Sequence, residues 1–271
     1  MKLRTRAGLA ALMLGASTAA PAGTNTWTQV GPQGGDVLKV IYNRDTPTTV
    51  YLMAEGGFFR SLDSGDTWHL FKDDFLNAQS DMDVDPSDPN RLYIVSGSQQ
   101  TLQVSTDAGA TFSPITSFPN VGNIWQLEVS TDGQTLYAAS ASRVFRSDDR
   151  GGTWQERTAV GASPGLVNRL LVDPTDKNTV YAVATASSST NALFVTHDGA
   201  ASWTQLAGAT AAAYIFDIAI SAANPARIWV AGAQGVYVST DSGQNFLLKL
   251  VPASSGAAHA LGGLIAFRHY A

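Results

Sequence analysis

Cysteine is absent from the 271 residues, so no disulfide can staple the fold and no thiolate can act as nucleophile or metal ligand. Charged side chains make up only 14% of the chain, with a formal net charge of −5. Such a chain offers no basic footprint to nucleic acid or to an anionic membrane. The four histidines, His69, His197, His259 and His269, fall at no metal-ligand spacing. No apolar run reaches the roughly 20 residues that a membrane-crossing helix needs. What remains is a charge-poor chain with 44% hydrophobic residues and 25 glycines, enough apolar surface for one packed core punctuated by turns.

The first residues carry Lys2, Arg4 and Arg6, then an apolar stretch over residues 7–16, then small residues ending in Ala20-Pro21-Ala22. That order predicts a secretory signal peptide over residues 1–22, followed by a single domain over 23–271. Cleavage removes those three positive charges and moves the formal balance from −5 to −8. An exported monomer, periplasmic or extracellular, is expected.

Ser61-Leu62-Asp63-Ser64-Gly65-Asp66-Thr67-Trp68 returns four times: at residues 105–112, 147–154, 196–203 and 239–246. Its aspartates Asp63, Asp107, Asp149, Asp198 and Asp241 are separated by 44, 42, 49 and 43 residues. A period in the forties with short β-type runs predicts propeller blades of four antiparallel strands each. Tyr51, Tyr93, Tyr137, Tyr181 and Trp229 stand 12, 14, 12, 17 and 12 residues before those aspartates and keep the register. Asp-, Pro- and Asn-rich segments at residues 85–90, 173–176 and 223–225 are predicted turns. The fold class is therefore all-β, with blades at about 31–71, 79–117, 121–160, 165–207 and 213–250. Helical periodicity is not sustained anywhere.

The octapeptide resembles the Asp-box, or BNR, repeat of sialidases, sortilin-type receptors, xyloglucanases and photosystem II assembly factors, over nearly all of the chain after residue 22. The resemblance and the residue chemistry imply a structural clamp in each blade. The hydroxyl residues Ser61, Ser105, Ser147, Thr196 and Ser239 bond within the hairpin, and the aspartates accept backbone N–H groups. Gly65, Gly109, Gly151 and Gly243 supply a positive φ. The final aromatics Trp68, Phe112, Trp154, Trp203 and Phe246 bury apolar area against their blades, and Trp68, Trp154 and Trp203 are expected to be largely buried. The fourth box has its glycine one place early, at Gly199, which puts its geometry in question. A lone carboxylate per box does not make a calcium site, so no metal or other cofactor is expected. Asp81, Asp83, Asp85 and Asp88 read as a solvated acidic rim.

Sialidase chemistry requires an arginine triad with a Tyr-Glu nucleophilic pair. Here Arg60, Arg143, Arg146, Arg44, Arg91 and Arg227 are scattered. Xyloglucanase chemistry requires two carboxylates across a cleft. The candidate carboxylates are Asp36 at a strand start, and Glu128 and Asp217 near or on first strands. Two functions follow: a non-catalytic scaffold or binding propeller for a protein or glycan, or a sialidase-like or xyloglucanase-like glycosidase. At the ends, Thr26-Trp27-Thr28-Gln29-Val30 resembles an outer strand without its blade. Residues 260–270 resemble a first strand without its blade. These orphan strands suggest a six- to eight-bladed ring of which this is a piece, with a compact five-bladed ring as the alternative.

Overall fold

The computed structural model describes residues 37–43, 46, 48–54, 56–73, 81–95, 101–161, 165–187, 190–212, 214–250 and 267–270. Asp36, residues 24–30 and the expected signal segment lie outside them. Blade 1 comprises β1 (Val37–Asn43), β2 (Val50–Ala54), β3 (Gly57–Ser61) and β4 (His69–Lys72). Blade 2 comprises β5 (Asp81–Val84), β6 (Leu92–Val95), β7 (Leu102–Ser105) and β8 (Ser113–Pro114). Blade 3 follows with β9 (Gln126–Val129), β10 (Leu136–Ser140), β11 (Arg143–Ser147) and β12 (Gln155–Glu156). Blade 4 has β13 (Val167–Val172), β14 (Val180–Ser187), β15 (Thr190–Thr196) and β16 (Thr204–Gln205). Blade 5 has β17 (Ile215–Ser221), β18 (Asn224–Gly232), β19 (Gly235–Ser239) and β20 (Leu247–Leu250). A short 3-10 turn, Ala207–Ala212, enters blade 5.

Every blade is an antiparallel sheet in strict chain order, and successive first strands touch one another, β1 to β5, β5 to β9, β9 to β13 and β13 to β17. First strands therefore line the axis, and fourth strands form the rim. One expected turn is corrected: Asn224 and Pro225 lie inside β18, whose pairing Ser221↔Asn224 leaves only Ala222 and Ala223 to turn the chain. Proline is tolerated at that end of the strand because β18 overruns its partners.

A propeller blade is covered on both faces, so its strands read as near-continuous apolar runs rather than strict alternation. Tyr51, Met53 and Phe58 of blade 1 pack on Met82, Leu92 and Ile94 of blade 2. Tyr93 and Leu102 pack on Leu127, Leu136 and Trp154. Tyr137 and Val144 pack on Leu170, Val180 and Trp203, and Tyr181 and Leu193 on Ile218, Ile228 and Phe246. The second-strand tyrosines also bond outward, Tyr51 Oη to the Pro89 carbonyl at 3.2 Å and Tyr137 Oη to that of Lys177 at 2.8 Å. Tyr51 and Tyr137 thus satisfy their hydroxyls on the blade that buries their rings.

The junction between blades 5 and 1 is built differently. Among the described residues no apolar cluster spans it. Val37 is 54% exposed, whereas its register equivalents Val167 and Ile215 are 1% and 2% exposed. Trp229, in the register of the buried tyrosines, is only partly buried. A further strand, β21 (Phe267–Tyr270), pairs in parallel with the axial edge of β1 and touches β17. The expected C-terminal orphan strand therefore exists, but it joins blade 1 as a fifth strand instead of opening a sixth blade. The unpaired axial edge of β1 offers it a complete set of backbone partners.

Candidate functional site

The five boxes form one clamp repeated. In the first, Ser61 Oγ donates to Asp63 Oδ1 at 2.7 Å and accepts the Gly65 N–H at 2.8 Å. Asp63 also accepts the Thr67 N–H at 2.8 Å and the Thr67 hydroxyl at 2.6 Å. Asp107, Asp149, Asp198 and Asp241 make the same set, with the Asn245 amide replacing the hydroxyl in the last. These bonds, the Thr67 hydroxyl foremost for Asp63, hold the carboxyls of Asp63, Asp107 and Asp241 down to about 2, because donors favour the charged form.

The displaced glycine of the fourth box does not alter the clamp. The residue after each box aspartate is left-handed, with φ of 57° to 63° at Ser64, Ala108, Arg150 and Ser242. Gly199 takes that place at 68°, and Ala200 takes the usual glycine place at 69°, donating its N–H to Thr196 Oγ1 at 3.0 Å. Box glycines have a second reason to be small: a Cβ on Gly109, Gly151 or Gly243 would press on Phe71, Ile115 or Leu206 of the preceding blade. The box aromatics are packed against the blade cores but not fully enclosed. Trp68, Phe112, Trp154, Trp203 and Phe246 are all partly exposed, since the rim strand beside them is the last layer of the blade.

The axis carries a ring of polar side chains, one per blade, at a single register position: Lys39, Asp81, Gln126, Arg169 and Asp217. The first four each reach the next blade. Lys39 Nζ donates to Asp81 Oδ1 at 2.5 Å, and Asp81 Oδ2 accepts the Leu127 N–H at 2.7 Å. Gln126 Oε1 accepts the Leu170 N–H at 3.4 Å, and Arg169 Nε donates to Asp217 Oδ1 at 3.2 Å. Burial pushes the Asp217 carboxyl above its ordinary value, while Arg169 and, from blade 1, Lys39 pull it down.

Two residues further along, Asp83 accepts the N–H groups of Val84 and Val129 at 3.0 and 2.8 Å. Inner strands are open edges, and side-chain acceptors from the preceding blade satisfy them. The acidic stretch is thereby corrected: Asp81, Asp83 and Asp85 are buried, at 3%, 0% and 0% exposure, and they act as edge and turn caps. Asp85 accepts the Ser87 N–H and hydroxyl at 2.8 and 2.6 Å.

Of the sequence candidates, Glu128 and Asp217 lie on first strands and are buried, at different register positions on blades separated by blade 4. Glu128 is the direct cross-strand partner of Tyr137, a Tyr-Glu pair in name. The Tyr137 hydroxyl, however, is spent on Lys177, and burial raises it to about 12, the reverse of nucleophile activation. Arg44 lies outside the described residues, and among the described arginines none converge. Arg143 forks onto Glu156, Arg146 onto Asp148 and Asn178, Arg60 donates to the Ala108 carbonyl, and Arg227 lies over Trp229. His197 Nδ1 sits 3.0 Å from the Thr179 hydroxyl.

Sequence reasoning missed the residues gathered where the first strands begin. Tyr214 (44% exposed) packs against Phe216 with centroids 5.5 Å apart. Trp125 and Leu166 precede β9 and β13, and Arg169, its side chain 41% exposed, stands at the ring just below. All lie at one end, because all blades repeat one direction. The signal was an aromatic or Leu shortly before each later first strand, irregularly spaced and hence invisible to the repeat.

The chain is an Asp-box β-propeller. Residues 100–228 match the family described as Sortilin-Vps10, "Sortilin, neurotensin receptor 3". A xyloglucanase of a Paenibacillus species is 27% identical over 206 residues, which is 70% of this chain and 16% of the relative. A xyloglucanase of Acetivibrio thermocellus is 28% identical over 56% of this chain and 16% of its own length. The chain thus spans about a sixth of the curated relatives it matches. Among solved structures, the GH74 xyloglucanase of Xanthomonas campestris superposes with a TM-score of 0.62 at 16% identity, over 76% of this chain and 37% of that one. A chain of a nidogen/laminin complex superposes at 0.61 with 12% identity, over 81% of each; these likenesses concern the fold.

Proposed function

We propose that the protein is an exported, non-catalytic Asp-box propeller that binds a glycan at the end of the ring where the first strands begin, through Trp125, Leu166, Tyr214, Phe216 and Arg169. The observation that carries this reading is the fate of the axial carboxylates. Asp81 and Asp83 cap neighbouring strands, and Asp217 is paired with Arg169. Their negative charge is already committed to the fold, while Tyr214 is exposed, Trp125 and Phe216 are partly so, and the paired Arg169 side chain still presents 41% of its surface. Aromatic rings combined with a few polar groups suit a sugar's apolar face and hydroxyl rim. The xyloglucanase relatives favour a glycan over a protein ligand. Affinity electrophoresis and calorimetry against xyloglucan and other β-glucans test the reading, with Tyr214→Ala as the probe. Retardation in a glycan gel that Tyr214→Ala abolishes is expected; no retardation in any glycan gel would refute it.

A glycosidase is the second reading, favoured by the same relatives and by Asp217, whose raised carboxyl is what a general acid requires. Hydrolysis of xyloglucan oligosaccharides that is lost in Asp217→Asn, with the fold intact, would establish it in place of the first.

A further inference from the structure

The inner edges of the blades are satisfied in two different ways. On β9, Asp81 and Asp83 of the preceding blade accept the N–H groups of Leu127 and Val129, and on β13 Gln126 accepts that of Leu170. The blade that precedes β1 around the ring is blade 5, and there the register position of Asp83 holds Ala219, which has no acceptor to offer. The edge of β1 is instead covered by β21, in the one parallel pairing among the described residues: Val40↔Phe267, Ile41↔Arg268, Tyr42↔His269 and Asn43↔Tyr270. The same strand touches β17, at the junction between blades where, among the described residues, no apolar cluster is shared.

We propose that the axial edge of β1 is a strand-acceptor groove for an extended peptide, that residues 267–270 are its resident occupant, and that this strand is a displaceable latch closing the ring between blades 5 and 1. A bare strand edge carries unpaired N–H and C=O groups and takes up any extended backbone that fits. Recognition of this kind runs through the main chain, so it depends little on side chains. A short parallel strand is also held less firmly than the antiparallel ladders around it, which makes it the element that a competing peptide removes first. Since β21 spans the junction, its release loosens β1 and β17 together.

The test uses the full chain carrying Arg268→Pro with His269→Pro. Consecutive strand residues point their N–H groups in opposite directions, so one of the two prolines removes a donor toward β1 in either phase. Arg268→Ala with His269→Ala is the control that keeps the backbone. Hydrogen exchange should accelerate at least tenfold at residues 39–43 and also in β17 of the proline variant, and stay unchanged in the alanine variant. A fluorescein-labelled peptide of residues 264–271 should bind the proline variant at least tenfold more tightly than wild type and restore protection at 39–43. Because the chain lacks cysteine, Val40→Cys with Phe267→Cys gives an independent readout: a short bis-maleimide should join the pair within one chain, and excess unlabelled peptide should suppress the joining. Unchanged exchange at 39–43 in the proline variant, equal peptide binding by variant and wild type, or cross-linking indifferent to peptide would each overturn the proposal.

Discussion

Second-strand aromatics allow the ring's uneven junctions to be measured directly. Tyr137 is fully buried between blades 3 and 4, with its hydroxyl on the Lys177 carbonyl. Trp229 holds the same register in blade 5 but is only partly covered, with Arg227 5.8 Å above its ring. Tyr137→Ala leaves a cavity between two sheets and should cost about 3–5 kcal/mol, as large core truncations do. Trp229→Ala, although it removes the larger side chain, loses only the covered part of its surface and one cation–π contact, about 1–2 kcal/mol in all. Tyr137→Phe isolates the hydroxyl at about 1 kcal/mol. Urea unfolding followed by tryptophan fluorescence and circular dichroism would rank the three by midpoint at constant slope. Equal losses for Tyr137→Ala and Trp229→Ala would refute the claim that Trp229 is packed less closely than Tyr137.

Gly199→Ala should destabilise by about 1 kcal/mol, because the equivalent left-handed place accepts Ser64, Ala108, Arg150 and Ser242 and the Arg146 guanidinium end must only move aside; adding Arg146→Ala should recover part of the loss in a double-mutant cycle. The box aspartates also predict an acid limb. Their folded values near 2 lie below the ordinary 3.8, so the stability they contribute is complete above about pH 4 and is lost as pH falls toward 2. A melting temperature level from pH 7 to 5 that then drops, with a shallower drop in Asp107→Asn, would agree; a drop centred near pH 6 would contradict it. Calcium or EDTA should leave the melting temperature unchanged, since each box aspartate is already saturated by hydroxyl and N–H donors and lies in its own blade.

Local patterns determined the blades. The octapeptide and the aromatic upstream of it define a four-stranded unit, because a hairpin clamp and a cross-strand register involve residues close along the chain. Even the shifted glycine at 199 was absorbed locally, Gly199 and Ala200 sharing the two left-handed positions. Relations between blades were decided only in three dimensions. Asp81 and Asp83 looked like a solvated rim because nothing nearby along the chain pairs with them; their partners Leu127 and Val129 lie 46 residues away. The ring of Lys39, Asp81, Gln126, Arg169 and Asp217 mixes two cations, two carboxylates and an amide in no regular order, so no motif announces it. The seat of residues 267–270 on β1 depends on which edge the closing ring leaves bare. A repeat specifies its own unit, whereas an edge needs a partner that only the assembled ring brings within reach.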